Sequence, residues 1–155
     1  MTVAVDTNVL IDIQVRDPRH FAASADAIER AAAEGGLIIG EVVYAELAVQ
    51  MPETDLDSFL ADLGIVYRPS PASALRRAGE AYLGYVRARG PEVQCSHCGA
   101  QFRVTCPSCG EHVSWRQHLI PDFLVGAHAE VLAGALLTRD RAIYRRFFPG
   151  LARYG

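Results

Sequence analysis

"VAVDTNVLID", residues 3–12, decides how the rest of the chain is read. Val3 and Val5 alternate ahead of Asp6 and a mixed apolar run follows, so the stretch reads as a short strand entering a turn and a helix start. The same succession recurs downstream. Residues 22–33 are alanine-rich with Ile28 facing inward, and Gly35-Gly36 stops that helix. "LIIG" (37–40) is a brief apolar strand, and "EVVYAELAVQ" (41–50) is helical until near Pro52. Thr54 can cap "DLDSFLADLG" (55–64), a short helix closed by Gly64, and "IVYR" (65–68) is another strand.

Past Pro69 and Pro71 a long helix spans 73–89, with Leu75, Ala78, Tyr82 and Tyr85 on one face and Arg76 and Arg77 paired with Glu80 on the other. Residues 90–118 break the pattern. "PDFLVGAHAEVLAG" (121–134) is then helical, with Pro121 at a permitted first-turn position. "ALLT" (135–138) is a strand, and "DRAIYRRFF" (140–148) is a last helix closed by Pro149-Gly150. Strand and helix alternate throughout, which predicts one α/β domain over 1–155, a three-layer sandwich around a mostly parallel sheet. No internal repeat or low-complexity tract stands out.

Bulk composition excludes several classes. The 155 residues are 50% hydrophobic and 21% charged, the balance of a globular domain rather than a disordered chain. No stretch approaches the roughly 20 uncharged apolar residues of a membrane helix. The N-terminus carries Asp6 and Asp12 and no leading basic residues, a poor signal peptide, so a cytoplasmic location is expected. The net charge of −3 hides an asymmetry: residues 1–66 sum to −9 and residues 67–155 to +6, and every basic side chain in the lysine-free chain is arginine. A basic half suits phosphate binding, and it equally suits a solvated surface.

In an open parallel sheet, ligands bind at the carboxyl edge of the strands. Asp6 closes the first strand there, and Asp140 follows "ALLT" by two residues. Glu46 and Asp122 lie in helices that flank such strands. Each alone could be a helix cap, a dipole partner or a solvated acid. Together at one edge they repel, unless a hard divalent cation such as Mg²⁺ or Mn²⁺ sits among them. Such an ion can activate water for displacement at phosphorus.

Here the chain resembles a family. "VDTNVLID", "VVYAEL", "PDFLVGAHA" and "LLTRDRAIYRRFFPG" are similar to the four acidic motifs of PIN-domain nucleases, especially VapC-type toxins, in the family's order and over nearly the whole chain outside residues 90–118. The resemblance implies a PIN-like fold, Mg²⁺- or Mn²⁺-dependent hydrolysis of RNA, a homodimer and a cognate antitoxin. It implies Asp6, Glu46, Asp122 and Asp140 as metal-binding catalytic acids, with Asn8, Thr138 and Thr7 as residues that orient an acid or a metal-bound water. Glu41 rivals Glu46, which directly precedes a leucine as the family's acid does. His128 is expected to pack within its helix. Two other roles stay open, an RNA-maturation nuclease of the same family and a non-catalytic module that binds RNA or protein.

"CSHCGAQFRVTCPSCG", residues 95–110, holds every cysteine. Two Cys-x-x-Cys pairs can complete a tetrahedron around one ion, so Cys95, Cys98, Cys106 and Cys109 are expected to bind a structural Zn²⁺ within an insert spanning 91–118. Gly99 and Gly110 follow each pair, where positive φ helps the turn. "QFRVT" (101–105) and "HVSW" (112–115) suit a small hairpin. The insert runs into the segment carrying Asp122, which a clip would hold steady. Arg103, Arg116, Phe102, Trp115 and His97 could contact RNA, or Phe102 and Trp115 could form the clip's own miniature core.

Overall fold

The computed structural model describes residues 1–88, 90, 92–95, 98, 100–113, 120–140 and 142–154, without the side chains of Gln94 and Arg153. The chain opens with β1 (Val3–Val5), α1 (Thr7–Gln14), α2 (Phe21–Glu34) and β2 (Leu37–Ile39). Helices α3 (Glu41–Ala48) and α4 (Glu53–Asp62) lead to β3 (Ile65–Tyr67) and the long α5 (Ala72–Ala88). Two short strands follow, β4 (Val93–Gln94) and β5 (Gln101–Phe102). The chain ends with α6 (Ile120–Leu132), β6 (Ala135–Leu137), α7 (Ala142–Phe147) and β7 (Ala152–Tyr154).

Five strands form one sheet in the order β3-β2-β1-β6-β7, and every pairing is parallel. All residues of β1, β2 and β6 are buried, as expected for strands covered on both faces. On β3 only Ile65 is buried, which marks it as an edge. From β1 the chain adds β2 and then β3 on one side, and it returns to add β6 and then β7 on the other. The direction of winding therefore reverses between β1 and β6. That reversal opens a crevice beyond the carboxyl ends of these two strands, where Val5 pairs with Leu137.

The α/β class with a parallel central sheet agrees with the sequence expectation, and five details differ. Strand β7 lies beyond the Pro149-Gly150 stop, in a segment too short to show a period. Pro52, not Thr54, caps α4, and Thr54 lies inside its first turn. The expected face of α5 is met by buried Ala78 and by Tyr82 and Tyr85, which pack on the core, but Leu75 is exposed and Ala74 and Ala81 are buried beside them. Arg77 does not pair with Glu80. Its Nε donates to Glu130 at 2.6 Å, its Nη2 to the Phe147 carbonyl at 2.8 Å, and its guanidinium lies 4.7 Å from the Phe148 ring centroid. One side chain thus ties α5 to α6 and α7.

The fifth difference concerns the insert, which does carry a repeat. "VQCSHCGAQF" (93–102) and "VTCPSCGEHV" (104–113) match in spacing. Cys95 donates its backbone N–H to the Ala100 carbonyl, and Cys106 to that of Glu111, both at 2.8 Å. Each half closes an antiparallel pairing, Val93 with Phe102 and Gln94 with Gln101 in the first, Thr105 with His112 in the second. Gln101–Phe102 therefore pairs back onto β4, while Val104 and Thr105 pair forwards with Val113 and His112, the part of the expected hairpin that forms. Gly110 has φ +75, the conformation expected after the second pair, while Gly99 lies outside the described residues.

Packing around α6 is tight. An added Cβ on Gly126 would stand 2.5 Å from Cε2 of the buried Phe148. Gly126→Ala is therefore expected to lower unfolding free energy by about 1–3 kcal/mol, read from urea denaturation. An unchanged midpoint would mean that Phe148 yields freely.

Candidate functional site

Asp6 is the hinge between β1 and α1. Its Oδ1 accepts the Thr7 backbone N–H at 2.8 Å and so caps α1. Its Oδ2 accepts Thr138 Oγ1 at 2.5 Å and Asn8 Nδ2 at 2.8 Å. Thr138, one residue past β6, also takes the Asp140 N–H on its hydroxyl at 3.1 Å, and Asn8 Oδ1 takes the Arg139 N–H at 3.2 Å. The two strand ends of the crevice are thereby laced together. Asp140 itself accepts the Ala142 N–H at 3.1 Å, at the start of α7.

The other two acids come from helices. Glu46, on α3, accepts the Thr7 hydroxyl on Oε2. Asp122 lies in the first turn of α6, anchored by its neighbour Phe123, whose fully buried ring stands 5.6 Å from Tyr82 and Tyr85 and 5.4 Å from Phe147.

All four carboxylates share one electrostatic field. Burial raises the Asp6 carboxyl above its usual range; hydrogen bonds from Thr138 and Thr7 oppose the shift, and the charges of Glu46 and Asp140 add to it. Asp122 is pushed up to about 6 by burial and then by Asp6, Asp140 and Glu46. Burial also raises the Tyr144 hydroxyl, with the same four acids adding to it. Among the described residues, however, no group of three or more His, Cys, Asp or Glu side chains forms a ready-made metal-ligating set. The acids fit a hard divalent cation by donor chemistry and charge rather than as a preformed cage.

Glu41 occupies a different place from Glu46. Its Oε2 accepts the Ser70 N–H at 3.1 Å and the Ser70 hydroxyl at 2.9 Å. Burial pushes its carboxyl up, but hydrogen bonds from its own backbone and from Ser70 outweigh that and leave it below the ordinary range. His128 Nδ1 lies 3.1 Å from the same Ser70 hydroxyl, and the ring is 3% exposed, packed in its helix as expected. It fills the space an added Cβ on Gly40 would need, 2.9 Å from Nδ1.

Burial lowers the His128 pKa, and the Arg68 charge adds to that while Glu41 opposes it. The fold favours the neutral ring, so its stabilisation is intact above the ordinary value of 6.5 and is lost as pH falls below it. On lowering pH from 7 to 5 the parent is expected to lose Tm relative to His128→Asn, since the opposite pull of the raised Asp6 and Asp122 carboxyls is common to both proteins; equal slopes would exclude His128 as a source.

Sequence reasoning missed one buried ion pair. Asp12, counted there only as charge, is 2% exposed, accepts Ser24 Oγ at 2.7 Å and pairs by charge with Arg139, whose Nε lies 3.0 Å from the same oxygen. A polar residue on the apolar α1 pattern was its only signal.

The four cysteines are thiols, Cys98 and Cys109 exposed and the other two half-buried. Backbone N–H groups of Ser108 and Cys109 lower the Cys106 pKa, favouring its thiolate. They too fit a metal by chemistry and turn geometry rather than as an assembled tetrahedron. Arg103 is exposed and lies 3.8 Å from Glu92; Phe102 is exposed. His97, Trp115, Arg116 and Arg141 lie outside the described residues.

No helix among the described residues is long and apolar enough to cross a membrane. Comparison with curated protein sequences finds no significant match. Among solved structures, the chain resembles a crystal structure of VapBC2 from Rickettsia felis bound to a DNA fragment from its promoter, with a TM-score of 0.62, 16% identity, and coverage of 99% of this chain and 97% of that one. At that identity the likeness shows the fold. A family profile described as PIN domain matches residues 3–92, which include Asp6 and Glu46 but neither Asp122 nor Asp140. That match spans more than half of the 155 residues, and the chain belongs to the PIN domain family.

Proposed function

We propose that this protein is a metal-dependent endoribonuclease that serves as the toxin of a toxin–antitoxin pair. The observation that carries the reading is the shared field of Asp6, Glu46, Asp122 and Asp140 at the crevice between β1 and β6. Four carboxylates in mutual repulsion suit Mg²⁺ or Mn²⁺, and a bound ion of this kind supplies an activated water and neutralises charge on the scissile phosphate. The chain's own part is to hold and orient. Thr138 and Asn8 fix Asp6, Thr7 fixes Glu46, and Arg139 with Arg141 binds flanking phosphates.

The finer assignments belong to the same proposal. Residues 1–155 act as one domain, with 91–118 as an insert in which Cys95, Cys98, Cys106 and Cys109 bind structural Zn²⁺. The two matched cysteine turns support that ligand set. The protein works in the cytoplasm as a homodimer held in check by an antitoxin, and the likeness to a VapBC structure supports this role. A second role for the same chemistry is RNA maturation by a nuclease of the same family. Toxicity on expression, relieved by a neighbouring small protein, separates the two.

The test of the chemistry is cleavage of end-labelled single-stranded RNA with Mg²⁺ or Mn²⁺. Internal cuts that require the ion are expected. No cleavage of any RNA under these conditions would leave the non-catalytic binding module.

A further inference from the structure

A cavity of about 320 Å³ opens beside the acidic crevice, lined by Val9, Ala23, Ala27, Leu137, Thr138 and Arg139. Its volume matches a small ligand rather than a length of polymer. Val9, Ala23, Ala27 and Leu137 give it an apolar lining, and His20, Ser24, Thr138 and Arg139 add polar groups to it. Thr138 also donates to Asp6, so cavity and acids share a wall.

Arg139 is held there by a buried charge. Asp12 is 97% buried and must be paired, and Arg139 Nε and Ser24 Oγ supply its partners at 3.0 and 2.7 Å. Asp12 pairs with Arg139 at Nε while the arginine side chain stays 43% exposed, so its guanidinium remains accessible to an anion.

We infer that this cavity is a nucleotide subsite: it seats the base of the ribonucleotide adjoining the scissile phosphate against Val9, Ala23 and Leu137, and Arg139, positioned by Asp12, holds that nucleotide's phosphate. An apolar lining beside an arginine suits an unstacked base and its backbone. The inference rests on the nuclease reading and adds to it a source of base preference at the cut.

The test is a titration of the metal-free protein with AMP, CMP, GMP and UMP, followed by the backbone amide signals of Ser24, Leu137, Thr138 and Arg139. At least one nucleotide is expected to move these signals saturably. Ala23→Phe, which fills the cavity from an exposed helix position, weakens that binding at least tenfold with unchanged Tm, and Arg139→Gln weakens it likewise while lowering Tm, because Asp12 loses its charged partner. In RNA cleavage, Ala23→Phe changes which base adjoins the cut. No saturable shift from any nucleotide, or parental affinity in both variants, overturns the subsite, and amide shifts from a partner protein alone would reassign the cavity to a protein side chain. Nucleotide binding without RNA cleavage keeps the subsite and removes the nuclease reading; cleavage with unaltered base preference in Ala23→Phe does the reverse.

Discussion

Asp122→Asn is expected to lose RNA cleavage by at least on the order of 10²–10³-fold and, in metal-free protein at pH 7.5, to melt at a higher temperature than the parent. Activity and stability part because the same residue is costly and useful. Its carboxyl is raised from 3.8 to about 6 by burial and by three neighbouring acids, so the fold prefers it neutral. Stability linked to this group is present below pH 3.8 and is lost as pH rises through about 6. An asparagine keeps the shape and removes the repulsion. The stabilising difference is expected to vanish near pH 3.5, where parent and variant are both neutral. Differential scanning calorimetry at the two pH values checks the first half, and cleavage of labelled RNA the second. A variant that melts lower at pH 7.5, or cuts like the parent, contradicts the account.

Cys106→Ser is the second large effect. A structural zinc contributes directly to folding of the segment that binds it, and the first hairpin of the insert has only two paired strand positions and the second only one. Bound zinc is expected to fall from about one equivalent to none, by elemental analysis. Amides of residues 93–113 then exchange with deuterium as in an unfolded chain, while β1, β2 and β6 keep their protection. Cleavage drops as well, because the insert leads into the helix bearing Asp122. Full zinc content in the variant would remove the cysteine site; lost zinc with full cleavage would leave the clip with no part in positioning Asp122.

The legible part of this molecule was whatever a short period or a fixed spacing could carry. Val3-Ala4-Val5, Leu37-Ile38-Ile39 and Ala135-Leu136-Leu137 are apolar on both faces, the mark of central parallel strands, and their order with the helices between them implied the sheet. Asp6 and the residues around Asp140 were visible because they sit directly at strand ends. Contacts between distant elements were not legible. Arg77 looked like a helical partner of Glu80, but the nearby Glu130 and Phe147 carbonyl on other helices offered a better-buried site. Asp12 looked like one more surface acid, because nothing local announces a partner 127 residues away. Strand β7 escaped because three residues cannot display alternation, and it is the parallel pairing with β6 that orders it.

Manganese binding by the protein as purified, measured by electron paramagnetic resonance with parallel calorimetry at pH 6 and pH 8, tests the central claim most directly. Crowded carboxylates that shed protons to receive a cation should take up Mn²⁺ at both pH values, release protons at pH 6 but not at pH 8, and bind much more weakly in Asp6→Asn. No uptake, or uptake that Asp6→Asn leaves unchanged, would contradict it.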